Sequence, residues 1–145
     1  MKPASRAVLL AALGLVLGAA HPAPPRLLGR FVLTLWIDPS PPNPAATVTG
    51  TVTLDPIATA GRPNAVGRYQ APLATGGLGP DQGPVLARAI GSDSGEVVLN
   101  PSAKGPRMEL AGRWRLGVLE GRWRSIGGSR AAAGRFRLRL APLTR

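Results

Sequence analysis

Apolar and polar residues alternate along five stretches of the chain. Phe31, Leu33, Leu35 and Ile37 share one face of an extended segment at 30–37. Val48, Gly50, Val52 and Leu54 share a face at 46–54, with threonines at 47, 49, 51 and 53 on the other. Met108, Leu110, Gly112 and Trp114 do so at 107–115, and Leu119, Gly121 and Trp123 at 118–125. Phe136, Leu138 and Leu140 close the series at 134–140, with Arg135, Arg137 and Arg139 opposite. A period of two with one apolar face predicts antiparallel strands that are wet on one side. Shorter patterns add strands at 65–70, 85–90 and 95–100, about eight in all. Asp38–Pro44 reads as a loop, and residues 71–84 as a loop or floppy segment. After residue 20 no helical period exceeds two turns. A single turn is the most expected at Ala58–Ala60 or Ala131–Ala133.

Two of these strands define their own register. A two-residue loop at Leu116-Gly117 places Trp114 opposite Leu119, Gly112 opposite Gly121 and Leu110 opposite Trp123. On the other face Arg113 then meets Glu120 and Glu109 meets Arg124. Such charge pairs are worth only about 0.2–1 kcal/mol each, so they matter more as a register marker. Leu-Gly is not a favoured pair for the tight hairpin turn, and a bulged turn would shift the register.

A short motif recurs as GRF at 29–31, GRWR at 112–115 and 121–124, and GRFR at 134–137. Glycine and aromatic lie two apart and share a face, so the glycine leaves room for a neighbouring ring and lets the sheet curl. The first and last strands both begin GRF. Eight antiparallel strands with matching ends predict an all-β, up-and-down barrel, which removes exposed edges. An open β-sandwich is the alternative.

Leu28-Gly29-Arg30-Phe31 resembles the Gly-x-Trp of the first strand in lipocalins, avidins and fatty-acid-binding proteins, the calycins, with Phe31 in place of the tryptophan. The Gly-Arg-Trp and Gly-Arg-Phe closing strands are similar to those of small secreted bacterial barrels of that type. The resemblance implies a barrel and assigns no ligand-binding residue.

The N-terminus changes the domain count. Met1–Arg6 is basic, Ala7–Ala20 is a 14-residue apolar run, and Gly18 and Ala20 are small residues before His21. This is the pattern of a cleaved secretory signal, helical before cleavage. The run is short for a membrane-spanning helix, which needs about 20 apolar residues; an uncleaved anchor is the alternative. The expected organisation is a signal at 1–20, an extended proline-rich lead at 21–28 and one β-barrel domain at 29–145, in the periplasm or outside the cell. Gly and Pro make up 32 of the 125 residues from position 21 onward, and Leu, Ile, Val and Phe 29. That composition is near the disordered range but on its folded side.

Charge and chemistry then narrow the function. The net charge is +11, and ten arginines against Glu109 and Glu120 in residues 107–145 carry most of it. Lysine is nearly absent, which with abundant Ala, Gly and Pro fits a GC-rich bacterial genome and gives the arginine excess an ordinary explanation. The chain has no cysteine and one histidine, His21. Disulfides, thiol catalysis and a Ser-His-Asp triad are therefore excluded, and neither a cofactor nor a metal site is expected. Glu109 and Glu120 are the obvious carboxylate pair, but each has an arginine opposite. Asp38, Asp55, Asp81 and Asp93 lie among Pro, Gly and Ser and read as turn-formers. An enzyme is not expected.

Two binding surfaces remain. Phe31, Trp114, Trp123 and Phe136 point to one interior, either as packed core or as the lining of a cavity for a small hydrophobic ligand. Arg113, Arg115, Arg122, Arg124, Arg135, Arg137 and Arg139 form a stripe on the outer face, either merely solvated or attracting an anionic envelope surface such as lipid or polysaccharide. Trp36 lies on that outer face, covered by the proline loop or exposed as a contact. Nucleic acid is not an expected partner, because the other aromatics lie away from the arginines and cannot stack bases there. An outer-membrane barrel would need the arginines inside, so after signal cleavage no integral membrane state is expected. The leading expectation is an exported binding protein carrying a small apolar ligand; the alternative is an envelope interaction protein using its arginine face. Oligomeric state stays open.

Overall fold

The computed structural model describes residues 28–57, 64–90, 92–102 and 104–142. Its eight strands are β1 (Gly29–Ile37), β2 (Ala46–Ile57), β3 (Asn64–Gln70), β4 (Gln82–Ile90), β5 (Ser94–Leu99), β6 (Arg107–Arg115), β7 (Val118–Ile126) and β8 (Ala133–Leu140). Each pairs antiparallel with the next, and β8 returns to pair with β1 from Phe31↔Leu140 to Ile37↔Gly134. The sheet is thus a closed up-and-down barrel, and the open-sandwich alternative falls with the β1–β8 pairing. The expected signal segment and most of the proline-rich lead lie outside the described residues, as does the turn considered at 58–60.

Closure follows from the alternation. Phe31, Leu33, Leu35 and Ile37 of β1 turn inward with Phe136 and Leu138 of β8, and all are at most 5 % exposed. Burying each such side chain is worth about 1.5–3 kcal/mol. They belong to one cluster of 21 buried apolar residues. Among the described residues no polar or charged residue is fully buried.

The β6–β7 register is the one read from the sequence, from Leu110↔Trp123 through Gly112↔Gly121 to Trp114↔Leu119. The Leu-Gly loop does not bulge. Leu116 has φ 52° and Gly117 φ 76°, so both central residues take the left-handed backbone of a primed hairpin turn. Glycine does this without strain, whereas leucine crowds its Cβ. Gly112 and Gly121 serve a purpose other than room for a ring. A Cβ on Gly112 would overlap the Glu120 carbonyl, and one on Gly121 the Ala111 carbonyl. The two strands approach so closely in this row that only glycine fits between their backbones. Gly134 combines the two roles, since a Cβ there would overlap the Trp36 carbonyl and also lie 3.1 Å from the Trp123 indole nitrogen.

The barrel's ends differ. Connections 38–45, 71–81, 100–106 and 127–132 gather at one end, the loop end. Strand ends Ile57 and Asn64, strand ends Ile90 and Ser94, and the connection 116–117 lie at the other, the turn end, where the chain enters β1 and leaves β8. Of the two expectations for 71–84, the structure takes the loop, which is packed and ends at Asp81. Ala71, Leu73 and Leu78 are buried in the core, a 3-10 turn spans Ala74–Gly76, and β4 has begun by Gln82. The segment is held because its backbone finds partners. The Leu78 amide donates to the Leu73 carbonyl at 3.1 Å, the Ala71 amide to the Asp81 carbonyl at 2.8 Å, and the Ser129 hydroxyl to the Gly77 carbonyl at 3.0 Å. Two apolar leucines among Pro and Gly thus cap the barrel. Two smaller differences are that β2 runs through Asp55, which is therefore not in a turn, and that Ala133 begins β8, so no helical turn forms at 131–133.

Two substitutions test this account. Gly121→Ala should lower unfolding free energy by at least about 2 kcal/mol, because the new methyl meets backbone. Leu116→Asn should raise it by about 1 kcal/mol, since asparagine tolerates the left-handed turn. Urea denaturation measures both.

Candidate functional site

The seven arginines expected on the outer face are all exposed there. Strand pairing brings Arg122 of β7 opposite Arg135 of β8, and Arg113 of β6 opposite Glu120, which in turn faces Arg137. Five of the seven, Arg113, Arg115, Arg122, Arg135 and Arg137, line a groove of about 710 Å³ on the outer wall. Trp36 and Glu120 complete its sides, and the backbones of Gly112 and Gly121 are part of its lining. The groove thus lies over the row where the two glycines draw β6 and β7 together. Arg124 and Arg139 are outside it.

The acids distribute themselves unevenly. Glu120 bridges to Arg137, Nε to Oε1 at 2.8 Å, rather than to Arg113, its other cross-strand neighbour. Asp38 reaches across to Arg122 at 2.6 Å, which relieves the like-charge contact of Arg122 with Arg135. Outside the groove Glu109 holds Arg124 at 2.9 Å and Arg107 at 3.2 Å. Arg113, Arg115, Arg135 and Arg139 make no ion pair among the described residues. Trp36 is half-buried on the outer wall, and the groups over its ring are the guanidinium carbons of Arg135 and Arg137, 5.6 and 5.7 Å from its centroid. Such cation–π contacts hold the arginine heads in place, Arg135 without an ion pair and Arg137 beside its bridge to Glu120. Trp36 was legible as an outward aromatic, but its arginine partners lie on β8, about a hundred residues away, and appear only on closure.

The hydrogen bond from Arg124 is the main reason the Glu109 carboxyl titrates below the usual range; desolvation partly opposes it, and Arg107 adds to it. Glu109 and Glu120 are therefore tied to arginines rather than paired with each other. Asp81 accepts the Ala74 amide at 2.8 Å and Asp93 the Ser94 hydroxyl at 3.2 Å, the turn-forming roles expected of them. Among the described residues no group of three His, Cys, Asp or Glu could hold a metal ion.

The interior candidates meet in the core. Phe31, Trp123 and Phe136 are at most 2 % exposed, and Trp114, partly buried at the turn end, packs against the core cluster. The Trp123 indole donates to the Trp36 carbonyl at 3.1 Å, so its polar atom is satisfied within the wall. The Trp114 indole nitrogen is buried without an acceptor among the described residues. Tyr69 donates to the Pro80 carbonyl at 2.8 Å; burial first, and Asp81 second, push its hydroxyl pKa up.

The Glu109 shift sets a pH dependence. Its folded pKa lies below its unfolded value, so its contribution is full above the unfolded pKa and fades as pH falls through the folded one. Glu109→Gln should cost roughly 0.2–1 kcal/mol at pH 7. The difference from wild type should shrink progressively below about pH 4.3, as denaturant unfolding across pH 2–7 would register. In comparisons with known proteins, no family, no curated protein and no solved structure matches this chain.

Proposed function

We propose that this protein acts by binding rather than catalysis, and that its arginine groove engages the anionic groups of a lipid or polysaccharide surface. The observation that carries the reading is the groove itself. Five arginines converge on one concavity that contains a single carboxylate, and three of them, Arg113, Arg115 and Arg135, make no ion pair among the described residues. Arginine presents a planar fork of donors that matches phosphate and carboxylate, and clustering raises the local anion concentration. The calycin resemblance, with its Gly29-Arg30-Phe31 opening, also supports a binding role. The apolar-cargo reading ranks second, because three of the four side chains it would use pack within the core cluster.

The test is retention on phosphatidylglycerol-containing vesicles and on an acidic polysaccharide, against neutral counterparts. Binding should fall steeply above about 0.1 M salt, where screening shortens to about 10 Å. Replacing Arg113, Arg115 and Arg135 together by Gln should weaken it by roughly 100-fold, at about 1 kcal/mol per arginine near an anionic surface, with thermal stability unchanged. Absence of retention on both anionic materials, or retention indifferent to the triple substitution, would overturn the proposal.

A further inference from the structure

Five large apolar residues are prominently exposed among the described ones, and apart from Val66 on the outer wall of β3 they stand at strand ends. Leu28 (37 % exposed) precedes β1, Ile90 (50 %) ends β4, Leu116 (103 %) forms the β6–β7 turn and Leu140 (59 %) ends β8. All four stand at the turn end, whereas the loop end is capped by its own buried leucines. Single exposed leucines are ordinary on protein surfaces; a group of them at one end is not.

Leu116 is the informative one. It occupies a turn position that demands positive φ and favours asparagine, and its side chain is wholly in water. Neither stability nor solubility accounts for a leucine there. Local strain at an exposed site points to a use outside the fold.

Its neighbours indicate which use. Val118, just after the turn, faces Arg139 of β8, and Leu140 follows. Leu140 lies beside the start of β1, its Cδ1 3.4 Å from where a Gly29 Cβ would be. The Ala141 amide donates to the Arg30 carbonyl at 2.7 Å, tying β8 to the residues after Leu28. Leu116, Leu140 and Leu28 therefore mark the β6–β1 side of this end, and each has an arginine within two residues: Arg115, Arg139 and Arg30. Glu120, the nearest acid in β7, is occupied by Arg137. Ile90 stands apart, close in sequence to Asp93 on the β4–β5 connection. Leucines flanked by arginines, with Asp55 the carboxylate on the β2 side of Leu28, match the interface of an anionic bilayer, where apolar side chains enter the acyl boundary and cations meet headgroups.

The geometry points to end-on docking of the barrel on an anionic lipid bilayer, with Leu116 inserted and Arg115, Arg139 and Arg30 on the headgroups. This rests on the anionic-surface reading above and narrows it to lipid. Arg115 belongs to both the turn end and the groove, so the groove reaches the docked end.

The experiment uses vesicles of mixed phosphatidylglycerol and phosphatidylcholine. Leu116→Asn is the discriminating variant, because it relieves the turn and so cannot weaken binding by unfolding the barrel. It should bind on the order of tenfold more weakly than wild type while its thermal midpoint stays level or rises. The chain has no cysteine, so Leu116→Cys carries one environment-sensitive label, and Ser102→Cys at the loop end is the control. The label at 116 should shift to the blue on anionic vesicles and be quenched by brominated lipid, and the label at 102 should not. If Leu116→Asn binds as wild type does, or the label at 116 stays in water, insertion is refuted, while loss of binding in the triple arginine variant still upholds the anionic reading. If wild type ignores anionic vesicles altogether, docking on lipid is refuted and retention on the acidic polysaccharide decides the broader reading.

Discussion

Pairing of β8 with β1 is the constraint on which the other features depend. Seven residue pairs from Phe31↔Leu140 to Ile37↔Gly134 turn an eight-stranded ribbon into a barrel. Once the ring closes, neither edge strand offers unpaired backbone groups to another chain. Closure also converts two faces into an inside and an outside. Every alternating residue must then be apolar and packed, or polar and wet, and a slip of one residue would reverse all of them. That is why the arginines of β6, β7 and β8 have no place but the outer wall, the reverse of a lipid-spanning barrel.

The groove is a by-product of how tightly the ring curls. Gly112 and Gly121 allow β6 and β7 to approach until their backbones touch, and the outer wall above them carries the concavity. Closure brings Trp36 of β1 beside Arg135 and Arg137 of β8, so an aromatic from one end of the chain is flanked by cations from the other. Asp38 reaches Arg122 over the same seam. The arginine cluster is held by cross-strand packing and two ion pairs rather than by a dense set of carboxylates. Its positive charge is therefore only partly neutralised within the protein.

The two ends of the barrel are built by different means. At the loop end, the 71–81 connection folds inward and its Leu73 and Leu78 complete the core. At the turn end, the Leu116-Gly117 connection is too short to fold over anything, and among the described residues Leu116 and Leu140 stay exposed.

Strand number, the inward set apart from Leu140, which ends β8 in the open, and the β6–β7 register were legible from sequence alone, because period-two alternation and cross-strand charges are local signals that closure does not alter. The outward placement of the seven arginines was legible for the same reason. Three things were not. The burial of Leu73 and Leu78 was hidden because two leucines among Pro and Gly carry no period, and only a barrel mouth of the right width gives them a place. The partner of Glu120 was ambiguous because it faces Arg113 on one side and Arg137 on the other, and side-chain geometry decides between them. The groove, with Trp36 among its arginines, required β1 to lie against β8. Alternation along a strand determines which face a residue takes, and the matching GRF strands hinted at closure; which side chains meet across a hundred residues is decided by the register of that closure, which no local stretch of sequence sets.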